Sequence, residues 1–229
     1  RLDTLELSAK ICKSIVEPIM ESGFDGIFIV ISNPVDMIAH YVYKLSGLPK
    51  NQVIGTGTAI DSARLQNYIS QLVNVDPRSV HAYSMGEHGD SQMVPWSTVT
   101  VGGKPFYDVI ADNKETIGEV DLDDLVYKTT QKGWEILNRK GTTYYGIATA
   151  CVGVIKAILN DENRIIPVST LLEGEYGETD VYAGVPVVLN RSGAYDVLEI
   201  HMTPGELARF KESTSVIREY TKKIMEYDI

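Results

Sequence analysis

The chain has 229 residues, 44% apolar and 23% charged, enough to bury a core without disulfide or metal support. Its 21 basic and 31 acidic residues leave a net charge of −10, which argues against nucleic acid or an anionic membrane surface as a partner. The longest strongly apolar run, residues 26–31, is too short to cross a bilayer. No leader peptide is expected from the opening residues, and two cysteines, Cys12 and Cys151, fit a reduced cytoplasmic compartment better than a disulfide scaffold.

The chain opens at Arg1 and runs directly into helical periodicity through Leu5, Ala9, Cys12, Val16 and Ile19. Such an opening leads us to expect further sequence upstream. Ser22-Gly23 ends this helix, and residues 26–31 read as a doubly buried strand of parallel type. Ser32-Asn33-Pro34 closes the strand, a helix follows over 35–45, and 52–55 reads as the next strand. This alternation is α/β grammar. Beyond it the pattern predicts a helix over 60–72, strands over 80–85 and 97–101, and long helices over 121–139 and 143–159 separated by Lys140-Gly141. Residues 165–171, 181–189 and 197–200 read as an antiparallel meander. Thr203-Pro204-Gly205-Glu206 has capping-box spacing and opens a last helix whose buried stripe is Leu207, Phe210, Ile217 and Ile224.

Common nucleotide and hydrolase signatures are missing from these residues. Gly55-Thr56-Gly57-Thr58-Ala59-Ile60 starts like G-x-G-x-x-G but puts Ile60 where the third glycine belongs. No G-x-x-x-x-G-K-[ST], H-E-x-x-H or G-x-S-x-G occurs. Two groupings could still carry chemistry. Asp61 and Arg64 stand three apart on a helix and share a face; the pair reads either as a surface ion pair of little energetic weight or as part of a site. In Gly86-Glu87-His88-Gly89-Asp90 a histidine sits between glycines, either on a solvated turn or facing a pocket. His40, His81 and His201 read as ordinary structural histidines. Taken together, a carboxylate oriented at an imidazole fixes its tautomer and stabilises the imidazolium. A neighbouring guanidinium offers two parallel donors to a substrate carboxylate. Such a set suits reduction of a 2-keto acid, with the hydride coming from a cofactor. Glu87, His88 and Asp90 could instead serve a metal-dependent hydrolase, and a catalytically silent binding or structural role is the third reading.

Six motifs occur in order: Ser32-Asn33-Pro34-Val35-Asp36, Val53-Ile54-Gly55-Thr56-Gly57-Thr58, Asp61-Ser62-Ala63-Arg64, Gly86-Glu87-His88-Gly89-Asp90, Lys140-Gly141-Thr142-Thr143-Tyr144-Tyr145-Gly146, and Asp180-Val181-Tyr182-Ala183-Gly184-Val185-Pro186. The series resembles the L-lactate dehydrogenase family over essentially the whole chain. The resemblance implies an α/β fold: residues 1–57 would be the C-terminal part of a Rossmann-type dinucleotide domain, and 58–229 an α+β substrate domain. It implies an oxidoreductase using NAD, without a catalytic metal, that interconverts L-lactate and pyruvate. His88 would be the acid/base, Asp61 its orienting partner and Arg64 the clamp on the substrate carboxylate. Asn33 would bind the reacting oxygen beside the nicotinamide, Thr56 and Ile147 would line the nicotinamide, and Thr143 the substrate. Arg1 would polarise the carbonyl.

The same resemblance implies a homotetramer whose long helices meet across subunits. It places the first strand, the glycine-rich loop and most of the specificity loop upstream of Arg1, in roughly three βα units of about 30 residues each. The segments 64–66 and 91–99 also resemble bacterial L-2-hydroxyisocaproate dehydrogenases, so a branched 2-hydroxy acid is the alternative substrate. In bacterial members activated by fructose 1,6-bisphosphate, the effector is held by an arginine and a histidine. At the corresponding positions this chain has Gln66 and His81, and weak or no activation is expected.

Overall fold

The computed structural model describes residues 5–226. It begins with α1 (Leu5–Glu21), β1 (Phe28–Val30), α2 (Val35–Ser46), β2 (Val53–Gly55) and α3 (Ala59–Val73). The apolar stripe read in the sequence faces inward on α1, where Leu5, Ala9 and Val16 are buried. Helix α2 stops at Gly47, whose positive φ of 64° lets its N–H reach back to the Tyr43 carbonyl. Strands β1 and β2 pair in parallel, in the register Phe28 with Val53 and Val30 with Gly55.

A small antiparallel sheet follows, made of β3 (Val80–His81), β4 (Thr100–Val101) and β5 (Lys104–Pro105). Next come α4 (Phe106–Asp112), α5 (Lys114–Ile117), α6 (Leu122–Lys140) and α7 (Tyr145–Leu159). Asp121 caps α6 by accepting the N–H groups of Asp123 and Asp124, and Gly141 ends it with φ of 75°. A meander of β6 (Arg164–Glu173), β7 (Thr179–Asn190) and β8 (Gly193–Val197) leads into α8 (Pro204–Glu226).

The meander adds to the parallel pair, giving one five-stranded sheet in the order β1-β2-β6-β7-β8. Its seam is narrow. Gly55 of β2 faces Ser169 of β6, and just past it Gly57 turns at φ of 48° so close to Ser169 that an added Cβ would lie 2.5 Å from the Ser169 nitrogen. Only glycine fits there. The main core gathers α1, α2, α8 and the five-stranded sheet, with Met37, Ile54, Leu172, Tyr182 and Phe210 fully enclosed. A second core, containing Leu65, Ile69, Trp96 and Phe106, lies beneath α3, α4 and the small sheet. Burial of Phe210, Ile217 and Ile224 stabilises the docking of α8 by about 1.5–3 kcal/mol per side chain.

Several predicted elements differ from the observed ones. The strand expected over 80–85 ends at His81, because the chain leaves the small sheet and the Ser84 N–H is taken by Ser62 Oγ at 2.8 Å. The strand expected over 97–101 is reduced to Thr100–Val101 behind a 3-10 turn, since the Ser97 N–H is captured by the Glu206 carboxylate at 2.8 Å. The third meander strand is Gly193–Val197 rather than 197–200. Residues 198–200 wrap around Tyr176, whose hydroxyl donates to the Leu198 carbonyl and accepts the Ile200 N–H. Helix α7 starts at Tyr145, leaving Thr143 on the loop before it, and α4, α5 and β5 went unread in the sequence.

Candidate active site

The parallel strands deliver the first two groups. Asn33 follows β1 and Thr56 follows β2, both at the carboxyl end of the pair, where open α/β sheets place their ligands. The Thr56 N–H donates to the Val30 carbonyl at 2.9 Å, fixing the two ends against each other. The Ser8 hydroxyl of α1 holds the Asn33 carbonyl at 3.1 Å.

Helix α3 carries the next pair. Asp61 lies in its first turn, where a carboxylate is favoured by the helix dipole, and Arg64 Nη1 donates to Asp61 Oδ1 at 3.1 Å. The side chains are 2% and 14% exposed. The surface-pair reading therefore fails: Asp61 is buried and Arg64 part-buried against the cavity, so that loss of Arg64 would leave the enclosed Asp61 charge short of a partner.

His88 arrives on the long loop between β3 and β4. Its Nδ1 stands 2.5 Å from Asp61 Oδ2, a contact that sets the ring's tautomer and orientation. The loop is fastened from several sides. Gly86 exchanges two main-chain hydrogen bonds with Gly184 of β7, at 2.9 and 2.8 Å. The Glu87 N–H donates to Ser213 Oγ of α8 at 2.8 Å, and the His88 N–H donates to Asp36 Oδ2 of α2 at 2.8 Å. Gly86 itself has φ of 88° and lies against Ser213, so a side chain fits neither the backbone nor the space. The Glu87 carboxylate accepts from the Ser91 hydroxyl at 2.6 Å and from its N–H at 3.2 Å. It is thus engaged by Ser91, and among the described residues no group of three His, Cys, Asp or Glu side chains could hold a metal ion. The metal-hydrolase reading gains no support.

A cavity of about 320 Å³ collects these groups. Asn33, Thr56, Arg64, His88, Thr143 and Ile147 all line it, while Asp61 stands behind His88 and Arg64. Arg1 lies outside the described residues. Sequence reasoning missed the apolar wall made by Ile31, Ile60, Trp134 and Leu137. The signal available for it was Trp134, a large aromatic in the middle of a helix otherwise rich in polar residues. The mixture fits the nicotinamide end of a dinucleotide: apolar side chains such as Ile147 and Ile60 suit a ring, and Asn33 and Thr56 add polar residues to the lining.

The fold and this cavity define a dinucleotide-dependent dehydrogenase acting on small hydroxy or keto acids, and comparison with known proteins agrees. Residues 58–227 match the lactate/malate dehydrogenase alpha/beta C-terminal domain, and residues 1–55 the lactate/malate dehydrogenase NAD binding domain. The chain belongs to the lactate/malate dehydrogenase family, and its cofactor is NAD. It is 55% identical over 224 residues to L-lactate dehydrogenase 3 of Bacillus anthracis, covering 98% of this chain and 71% of that protein. It is 44% identical over 225 residues to L-lactate dehydrogenase 1 of Bifidobacterium longum subsp. longum, with the same coverage. Among solved structures, the minor L-lactate dehydrogenase of Enterococcus mundtii in its ligands-bound form superposes with a TM-score of 0.94 at 42% identity, covering 99% of this chain and 72% of that one. No helix among the described residues is long and apolar enough to cross a membrane.

Proposed function

We propose that this protein interconverts L-lactate and pyruvate with NAD, using His88 as the proton donor and acceptor. The observation that carries the reading is the shared Asp61 carboxylate, which joins His88 and Arg64 on one wall of the cavity that Asn33 and Thr56 enter from the sheet. The names of the relatives favour lactate over a branched 2-hydroxy acid.

The Arg64 guanidinium pairs with the substrate carboxylate through parallel donors, which orients the keto carbon. The His88 imidazolium gives its proton to the keto oxygen as the carbonyl is reduced. In the opposite direction the neutral ring takes the proton from the hydroxyl. With Nδ1 engaged by Asp61, transfer falls to Nε2. The Asp61 carboxylate stabilises the ring while it is charged and keeps it in the correct tautomer when it is not. The Asn33 amide holds the reacting oxygen, and Thr143 closes the substrate side. Thr56 and Ile147 would hold the nicotinamide, which when bound supplies or accepts the hydride. Arg1, outside the described residues, keeps the carbonyl-polarising role that the family resemblance gives it.

We divide the chain at 57/58, into a nucleotide-binding part and a substrate part, although the five-stranded sheet crosses that line at Gly55 and Ser169. We also propose a cytoplasmic homotetramer. Supporting it are the apolar side chains exposed on α1 (Leu7, Ile11 and Ile15) and on α7 (Tyr145, Val152 and Leu159), which a monomer would leave in water.

The test is oxidation of NADH by the full-length protein with pyruvate, 2-ketoisocaproate and oxaloacetate in parallel, and reduction of NAD by L- and D-lactate. Preference for pyruvate and for the L-isomer is expected. No turnover with any keto acid overturns the reading, and preference for 2-ketoisocaproate moves it to the branched substrates. Sedimentation of the same sample as a monomer would refute the tetramer.

A further inference from the structure

The turn that carries His88 is closed at its base by Met85 and Met93, which exchange main-chain hydrogen bonds at 2.8 and 2.9 Å. Inside it lies the side chain of Gln92, only 5% exposed. Its Nε2 donates to the Gly89 carbonyl at 2.9 Å, and its Oε1 accepts the Ser84 hydroxyl. The Ser84 main-chain N–H in turn donates to the Ser62 hydroxyl at 2.8 Å. Ser62 and Ser84 are buried as well. Gly89 follows His88 in the chain, and Ser62 follows Asp61. The ends of this neutral run of hydrogen bonds are therefore the neighbours of the pair that meets at His88 Nδ1 and Asp61 Oδ2. From Asp61 through Ser62, Ser84, Gln92 and Gly89 to His88, the circuit is closed.

The residue type at the middle of the circuit is specific to the task. Gln92 joins a hydroxyl donor to a carbonyl acceptor. Among the straight side chains of this length, only an amide offers an acceptor and a donor on one head at every pH. An ionised carboxylate has nothing to give the Gly89 carbonyl, and a lysine or arginine has no acceptor for Ser84. An apolar chain would pack here but leave the enclosed Gly89 carbonyl without that donor. The carbonyl is also the handle that the chain offers at this point. Gly89 has no side chain, and a Cβ there would lie 2.4 Å from the carboxyl carbon of Glu87, which Ser91 already holds.

Resting on the functional reading above, we propose that Gln92 is a positioning residue for the proton transfer. It ties the main chain just after His88 to the turn of α3 that carries Asp61, and so keeps the imidazole in line with its carboxylate. Asp61 acts on the ring directly, through Nδ1; Gln92 acts on it through the backbone. The tolerance is small, because misplacing a reacting group by about 1 Å can slow a reaction by about a hundredfold.

The experiment compares Gln92→Met and Gln92→Glu with the parent, in the full-length protein, by pyruvate reduction from about pH 5.5 to 9. Gln92→Met should bind NADH and pyruvate as the parent does and lose about three- to tenfold in kcat at every pH. Gln92→Glu should match the parent at the acid end, where the enclosed carboxyl is protonated and donates to Gly89 as the amide does. As that carboxyl ionises, kcat should fall towards the Gln92→Met level. The other charged groups of the region are Glu87, His88 and Asp90 of the loop, Asp61 and Arg64 of α3, and Asp36 of α2. All are common to the three proteins, so the parent's own profile takes them out of the comparison. Parental kcat in Gln92→Met, or a Gln92→Glu profile parallel to the parent's, would reduce Gln92 to packing and overturn the proposal. Should either variant fail to fold, Ser84→Ala takes its place, since it removes only the hydroxyl that holds the Gln92 oxygen. Its readout is proton NMR of the His88 Nδ1 hydrogen: exchange with water several-fold faster than in the parent supports the proposal, and an unaltered rate refutes it. That measurement needs no turnover, so failure of the lactate assignment would show separately, as inactivity of the parent with pyruvate.

Discussion

His88 Nδ1 and Asp61 Oδ2 stand 2.5 Å apart, in a pair whose carboxylate is almost fully enclosed. The proposed acid/base group is thus oriented by a residue 27 positions earlier in the chain, on a different element. Replacing His88 with Gln would remove the proposed proton donor while leaving Thr56 and Ile147, the proposed nicotinamide contacts, alone. We expect kcat to fall by about 10²–10⁴-fold with little change in NADH affinity. Stopped-flow binding and steady-state kinetics on the same preparation check this, and near-normal turnover would remove His88 from its role.

Asp61 serves two partners through its two oxygens, so Asp61→Asn should show twice in the kinetics. An amide can present N–H to Nδ1, which favours the wrong tautomer and lowers kcat. It also releases Arg64, the residue assigned to the substrate carboxylate, and raises KM for pyruvate. A change in kcat alone would mean that Arg64 holds its place without Asp61.

Arg64→Lys keeps the charge and loses the planar fork. One charge-assisted hydrogen bond is worth about 1.5–3 kcal/mol, so kcat/KM for pyruvate should drop by roughly one to two orders of magnitude, mostly through KM. Unchanged KM would argue that the carboxylate binds elsewhere.

Two buried groups set opposing slopes of stability with pH. Burial holds the Asp36 carboxyl up near 6 against 3.8 in a model peptide. Between about pH 4 and 6 the folded protein therefore keeps a proton that the unfolded chain has released, and stability falls as pH rises through that window. His40, enclosed beside Tyr43 and Tyr182, is held down to about 4 chiefly by burial, against 6.5. Below pH 6.5 the unfolded chain takes up a proton that the folded protein refuses, so stability falls as pH drops towards 4. Each shift is near two units, or roughly 3 kcal/mol, so the two contributions largely offset each other in the parent. Denaturant midpoints at several pH values should be nearly flat for the parent, steeper on the acid side for Asp36→Asn, and inverted for His40→Phe. Slopes of one sign in both variants would contradict the account.

The structure bears on activation by fructose 1,6-bisphosphate through Gln66. One N–H of its Nε2 already donates to the Ala82 carbonyl at 3.1 Å, so only one neutral donor is left at this position. Of the cations around the same groove, Arg78 is forked onto Asp76 and Lys132 is paired with Glu135. In the proposed oligomer, loss of a charge-assisted contact on each of two facing subunits would weaken binding by a factor on the order of 10² or more. Pyruvate KM should therefore be insensitive to the bisphosphate at matched ionic strength. A several-fold fall in KM would show that Arg164, His81 or neighbouring cations build a site without Gln66.

Elements governed by local pattern were readable in advance: the stripes of α1 and α8, the extents of α2 and α3, the glycine stop of α6 and the capping box of α8 all lie within a few turns of chain. Of the site residues that the resemblance named, Asn33, Thr56, Arg64, His88, Thr143 and Ile147 line one cavity, Asp61 stands behind His88 and Arg64, and Arg1 lies outside the described residues. Two kinds of information were invisible. Burial decided Asp61 and Arg64, whose spacing is equally that of a surface ion pair. Distant contacts decided the rest: Asp36 reaches His88 across 52 positions and Ser213 reaches Glu87 across 126, and no periodicity encodes either. The same cause cut short the strands near residues 85 and 97, where the side chains of Ser62 and Glu206 take backbone donors that a ladder would have used.

Glu206 does more than begin a helix. Its carboxylate accepts the N–H and hydroxyl of Thr203, at 2.8 and 2.9 Å, and also the N–H and hydroxyl of Ser97, at 2.8 and 2.6 Å. Two stretches more than a hundred residues apart are thereby made one cooperative unit, in which neither can open to solvent without the other. Amide hydrogens at the start of α8 and in the 96–98 turn should consequently exchange with deuterium at a common rate, and Glu206→Ala should speed both together.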